Sequence, residues 1–192
     1  MKRIATLIPA AGAATRYGQC KQLMTVNGKS LLQHAVDRAT TLVPNAVFVV
    51  TGAEHAQISA TIRQAALIHN PRWSEGLGGS IACGVKTIAG DYDGILIMLA
   101  DQVALHRDDL QRLCDGFDGA NIVCARYQGQ RGAPALFCRE SYPALQRLTG
   151  DRGAKSLLRD ARFMVTEVAM ENAAMDIDTE KDLNRWLRKS PG

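Results

Sequence analysis

Several things are missing or scarce in this chain of 192 residues, and each closes off a class of function. No apolar run approaches the roughly 18 residues of a membrane-spanning helix, so no membrane partner is expected. The 5 cysteines (Cys20, Cys83, Cys114, Cys124 and Cys138) are odd in number and widely separated, with no CxxC pair and no Cys/His zinc spacing. They read as reduced, mostly buried thiols, Cys20 being the best placed to be accessible. Net charge is only +4, and the cations are spread along the chain rather than gathered into the dense basic stripe of a nucleic-acid binder. The 4 histidines form no obvious His/Asp or Ser/His arrangement. There is no internal repeat, low-complexity tract, long linker or heptad. The N-terminus, MKRIATLIPAAGAATR, opens with cations and then small and apolar residues, as an export signal does. Its apolar core is short and runs straight into a polar loop, so a first strand in a cytoplasmic protein is expected.

What is present is the composition of a soluble domain, 46% hydrophobic and 22% charged, at a length that suggests one domain with a sizeable core. Strand-like runs at Arg3–Ile8, Ala46–Thr51, Gly94–Ala100 and Asn121–Ala125 alternate with helical patterns. GILIMLAD is almost unbroken in its apolarity, as a parallel strand buried on both faces requires. SLLQHAVDRATT carries Ser30 and Gln33 at capping-box spacing, with Leu31, Leu32, Ala35, Val36 and Ala39 on one face. HAQISATIRQAA, HRDDLQRLCDGF and TEKDLNRWLRK predict further helices, the last with Trp186 on its apolar face. After Arg126 the rhythm loosens: RGAPALF and RFMVTEVAM read as strands around helical ESYPALQRL and GAKSLLRD. The alternation predicts βαβ units, a mostly parallel sheet and a mixed edge.

The loop after the first strand, IPAAGAATRYGQCKQL, is made of very small side chains with Arg16 in its middle and Lys21 near its end. Small residues let backbone N–H groups approach an anion, and cations can neutralise phosphates. Neither GxGxxG nor GxxxxGK[ST] fits. The pattern is A-A-G-x-x-x-R-x-G-x-x-K, and from the loop alone a phosphate site and a plain surface turn stand about even. Asp101, ending a buried apolar strand, is costly there unless paired or metal-bound. It is either a turn residue or a Mg²⁺ ligand, since Mg²⁺ takes one or two carboxylates plus phosphate oxygens. Gly78, Gly79 and Ser80 are expected as a tight turn, with Ser80 as N-cap of the following helix. Trp73 is core or pocket wall.

The loop resembles the signature of nucleotidylyltransferases, and most of all that of the molybdenum cofactor cytidylyltransferases. NPRWSEGLGGSIACGV, LADQVAL, RGAPALF…LTGDRGAKSLL and DIDTEKDL carry the likeness in order along the chain. The resemblance implies a three-layer Rossmann-like α/β fold, with the nucleotide held by residues 1–105 and the acceptor by 106–192. It implies transfer of CMP from CTP to a phosphorylated acceptor, molybdopterin, with release of pyrophosphate and Mg²⁺ as cofactor. A passing contact with a molybdoenzyme or its chaperone is the further partner expected. Arg16, Lys21 and Asp101 would be catalytic, and Pro9, Ala10, Ala11, Gly12, Ala13, Lys21, Gly79 and Ser80 would bind nucleotide. Asp101 and Asp178 would hold the metal, Asp178 being equally an N-cap, while Arg131, Gly132, Asp151 and Lys155 would meet the acceptor. Ala133 stands where the family usually has His, Pro9 where it has Leu, and Glu180 where it has Pro. The Ala10-Ala11-Gly12 form favours cytidylyl over guanylyl transfer. Guanylyl transfer, a sugar- or methylerythritol-phosphate cytidylyltransferase, and a non-catalytic cofactor carrier or maturation chaperone are the alternatives.

Overall fold

The computed structural model describes residues 2–13 and 21–175. Its strands are β1 (Ile4–Ala10), β2 (Thr25–Val26), β3 (Lys29–Ser30), β4 (Val47–Thr51), β5 (Ala66–His69), β6 (Gly94–Ile97), β7 (Ile122–Tyr127), β8 (Gln130–Cys138) and β9 (Val165–Ala169). Its helices are α1 (Leu31–Leu42), α2 (His55–Thr61), α3 (Leu77–Ile88), α4 (Arg107–Asp115) and α5 (Tyr142–Leu145). Seven strands make one sheet in the order β5-β4-β1-β6-β8-β7-β9, while β2 and β3 pair as a small separate hairpin. β8 runs antiparallel to both its neighbours, and the other pairings in the large sheet are parallel. This is the expected α/β architecture with its mixed edge. α1 packs beside α4, and α3 beside α5, flanking the central strands.

The apolar runs mark the centre. β1 is buried from Ala5 to Ala10, and all four residues of β6 are buried. Leu7, Ile8, Ile95, Leu96, Met98 and Phe137 have less than 2% of their surface exposed. α3 lies hard against this sheet because Gly84 has no side chain. A Cβ there would stand 2.6 Å from Leu7 Cδ1 and 2.8 Å from Val50 Cγ2. Gly84→Val is therefore expected to overpack the interface and lower stability by about 2–3 kcal/mol. Urea unfolding checks it, and a change below about 0.5 kcal/mol would count against so tight an approach.

Several local expectations are corrected. The helix expected over 55–66 ends at Thr61: Ile62 is extended (φ −75°, ψ 137°) and Gln64 turns the chain at φ 63°. Residues 66–69 then pair with β4, so sheet pairing and burial of Ile68 outweigh the helix preference of Ala65 and Ala66. Only half the capping box at α1 forms. Ser30 Oγ accepts from the Gln33 backbone N–H at 3.1 Å, but the Gln33 side chain is drawn to Asp37 Oδ1 (2.7 Å) and to the Arg63 N–H (2.9 Å). A fuller box appears at α4, where the His106 N–H bonds Asp109 Oδ2. GAKSLLRD gives a 3-10 turn, Ala154–Arg159, rather than an α-helix. Ser80 does not cap α3. Gly76, at φ 100°, precedes the helix, and Gly78, Gly79 and Ser80 lie within its first turn. The helix expected over TEKDLNRWLRK falls outside the described residues.

Candidate functional site

Parallel strands present a ligand crevice at their carboxyl ends, and β1 and β6 lie side by side at the middle of this sheet. Past Ile97 the chain stays beside β1, the Met98 N–H bonding Leu7 O at 3.2 Å, and turns at Asp101, whose carbonyl accepts from the Val103 N–H at 2.9 Å. Two side chains grip that turn, Gln102 buried and Arg38 partly so. Gln102, 1% exposed, donates its Nε2 hydrogens to Ala133 O (2.8 Å) and Ala173 O (3.1 Å). Arg38, on α1, donates to Val103 O (2.9 Å) and Gln102 O (3.4 Å). Burial pushes the Arg38 guanidinium down to about 10, which still leaves it a cation at neutral pH.

The described chain resumes at Lys21, the first residue of a 3-10 turn, Lys21–Leu23. Lys21 Nζ donates to Asp101 Oδ2 at 2.9 Å, although the two residues are 80 apart in sequence. Asp101 Oδ1 is buried and has no hydrogen-bond partner among the described residues. A buried carboxylate oxygen is expensive in that state, so the atom is suited to a cation. Among the described residues no three His, Cys, Asp or Glu side chains converge into a metal cage. One carboxylate that leaves the remaining positions to phosphate and water is a donor set that suits Mg²⁺ or Mn²⁺.

Pro9, Lys21, Gln22, Leu77, Leu99 and Asp101 line a cavity of about 220 Å³ around this pair. A second cavity, of about 160 Å³, shares Leu77 and Leu99 with it and extends to Tyr127, Gly132, Ala133 and Lys155. The site is thus two adjoining chambers, with the Lys21–Asp101 pair in the first.

The expected residues fall unevenly around it. Pro9 lines the first chamber; Ala10 and Ala11 are buried and Gly12 and Ala13 exposed, and none of these four lines it. The Ala11 carbonyl is held by the Ala53 N–H at 3.1 Å. Gly79 is in the first turn of α3. The Ser80 hydroxyl is turned inward, 2% exposed, accepting from Asn70 Nδ2 (3.2 Å) and donating to Gly76 O (3.3 Å). Gly132 and Lys155 border the second chamber, and Lys155 Nζ also reaches Gln130 Oε1 at 3.1 Å. Arg131 is committed elsewhere, to Glu167 Oε1 (2.7 Å) and Leu158 O (2.6 Å), and does not line that chamber. Asp151 belongs to the loop that packs on the start of α3, where the Gly78 N–H bonds Gly150 O at 2.8 Å. Trp73 is partly buried against the main core. Arg16 and Asp178 lie outside the described residues.

Sequence reading missed Gln102, Arg38 and Tyr127. The available signals were faint: a glutamine directly after the strand-end acid, an arginine on the polar side of an amphipathic helix, and an aromatic diagonal to a glycine across a tight hairpin.

Comparison with known proteins identifies the fold and the family. The chain is 30% identical over 195 residues to the purine catabolism protein PucB of Bacillus subtilis, covering 93% of both sequences. Among solved structures, Rv0371c of Mycobacterium tuberculosis superposes with a TM-score of 0.85 at 26% identity, over 97% of this chain and 98% of that one. A manganese complex of Rv0371c superposes at 0.79, with 24% identity over 98% of this chain and 100% of that one. The molybdopterin-guanine dinucleotide biosynthesis protein A of Archaeoglobus fulgidus shares the fold, with a TM-score of 0.69 at 15% identity over 97% and 100% of the two chains. No helix among the described residues is long and apolar enough to cross a membrane. Residues 6–167 match the family described as the MobA-like NTP transferase domain, and the chain, a nucleotidyltransferase by that membership, belongs to it.

Proposed function

We propose that the protein transfers CMP from CTP to the terminal phosphate of molybdopterin, releasing pyrophosphate. The observation that carries this reading is the 2.9 Å pairing of Lys21 with Asp101 at the carboxyl edge of the sheet, with the second Asp101 oxygen buried and without a hydrogen-bond partner among the described residues. It sets a cation for phosphate oxygens beside an acid for a divalent ion. The choice of cytosine and molybdopterin rests on the Ala10-Ala11-Gly12 form of the loop and on the likeness of four further segments to molybdenum cofactor cytidylyltransferases.

In this reading an oxygen of the acceptor phosphate attacks the α-phosphorus of CTP, and the bond from that phosphorus to the β-phosphate oxygen breaks. The nucleophile is anionic at neutral pH, so no general base is needed. Lys21 neutralises charge on the departing pyrophosphate, and Arg16 grips the outer phosphates. Asp101, aided by Asp178, would hold Mg²⁺, which would draw charge from the phosphate oxygens. Pro9 to Ala13 bring small-sided backbone against the nucleotide, and Gly79 contributes from the start of α3. The second chamber, with Gly132 and Lys155, receives the acceptor.

Incubation with α-labelled CTP or GTP, Mg²⁺ and molybdopterin tests the proposal. Labelled dinucleotide should form with one pyrophosphate per turnover, at least tenfold faster from CTP than from GTP. Absence of transfer, together with no preference for CTP in binding, would refute it.

A further inference from the structure

The second chamber discriminates by the shape of what it can hold. Its lining includes Leu77, Ile81, Leu99, Ala133 and Phe137 around Tyr127, and among the described residues the only charged side chain on it is Lys155. Tyr127 ends β7 and reaches across the hairpin to lie directly over Gly132. A Cβ on Gly132 would come within 2.8 Å of Tyr127 Cζ and closer still to its hydroxyl oxygen. The phenol occupies that place only because Gly132, diagonal to Tyr127 in the hairpin register, has no side chain.

We infer that Tyr127, seated on Gly132, is the specificity-determining floor of a slot for a flat, apolar-faced ring, with Lys155 countering the phosphate that the ring bears. The inference rests on reading the chamber as the acceptor site. A polyol phosphate would enter with several hydroxyls and, among the described residues of the lining, meet only the Tyr127 hydroxyl and Lys155 as polar side-chain partners. Each hydroxyl buried unpaired weakens binding by about tenfold. A flat ring loses nothing comparable and gains contact with the tyrosine face. The volume of about 160 Å³ has room for a bicyclic ring.

Two probes with a common phosphate isolate the effect: 1-naphthyl phosphate and glucose 1-phosphate, titrated calorimetrically into the full chain. Naphthyl phosphate is expected to bind at least tenfold more tightly. Tyr127→Ala and Gly132→Ala should each reduce that preference at least fivefold while CTP affinity stays within twofold, and Tyr127→Phe should retain it. A structural defect would instead weaken CTP binding alongside. Equal affinity for the two probes, or a preference that survives Tyr127→Ala, would overturn the inference. The outcome is separable from the cytidylyl-transfer reading: failure to transfer label from CTP would sink that reading and leave the ring preference standing.

Discussion

Asp101→Asn is expected to cut nucleotidyl transfer by about a hundred- to a thousandfold while leaving the chain folded. The substitution keeps the shape and removes the charge. The Lys21 ammonium then loses its partner at 2.9 Å, and the buried second oxygen becomes at best a neutral amide atom. A divalent ion binds a neutral amide far more weakly than a carboxylate. Positioned charge is the main catalytic resource in phosphoryl-type chemistry, and removing one such group costs about this much in rate. Stability should change little, because both side chains are partly solvated, at 20% and 26% exposure, and such pairs contribute about 0–1 kcal/mol. Pyrophosphate release over a Mg²⁺ or Mn²⁺ titration, with thermal unfolding alongside, gives both readouts. A variant that keeps more than a tenth of wild-type turnover would remove Asp101 from the catalytic group. Lys21→Met should likewise depress turnover by about a hundredfold while leaving the apparent metal affinity nearly unchanged, which separates the two partners.

The parts of this molecule legible in its sequence are those governed by local rules. Buried parallel strands announce themselves as apolar runs, and β1 and β6 begin within a residue of where their runs do. Small residues and a lysine after the first strand, and an acid at the end of another, marked the two halves of the site. Their meeting is a consequence of β1 lying next to β6. What stayed hidden depends on partners distant along the chain. The expected helix over 55–66 runs past Thr61 in the sequence pattern, and residues 66–69, the first of them in that pattern, become a strand because β4 offers an edge to pair with. Ser80 has the side chain of an N-cap, yet it is taken inward by Asn70, a residue on a different segment. Arg131 sits in a stretch that resembles an acceptor motif, but Glu167 on the parallel neighbour of β7 claims it. Gln102 gives no periodic signal, since its role lies in two carbonyls 31 and 71 residues further along.

That last residue is where fold and site are most tightly joined, and Gln102→Ala should show both effects. The side chain is 1% exposed and donates to Ala133 O and Ala173 O, so its loss leaves one buried and one partly buried carbonyl without these donors and opens a small void. An unsatisfied buried polar group costs about 1–3 kcal/mol, which puts the expected loss of stability at about 2–4 kcal/mol. The same contacts fix the turn that carries Asp101, so turnover should fall at least tenfold under conditions where the variant remains folded, with weaker metal dependence. Gln102→Glu tests the polarity of the hub. It preserves length and volume but replaces the amide donor by an acceptor aimed at two carbonyl oxygens, so it should destabilise at least as much as alanine. Urea unfolding of both variants, paired with metal-dependent pyrophosphate release, decides the matter. If Gln102→Glu were as stable as wild type, the amide would not be donating to those carbonyls. If either variant lost stability yet kept full turnover when folded, Arg38 and the backbone would suffice to aim Asp101 without Gln102.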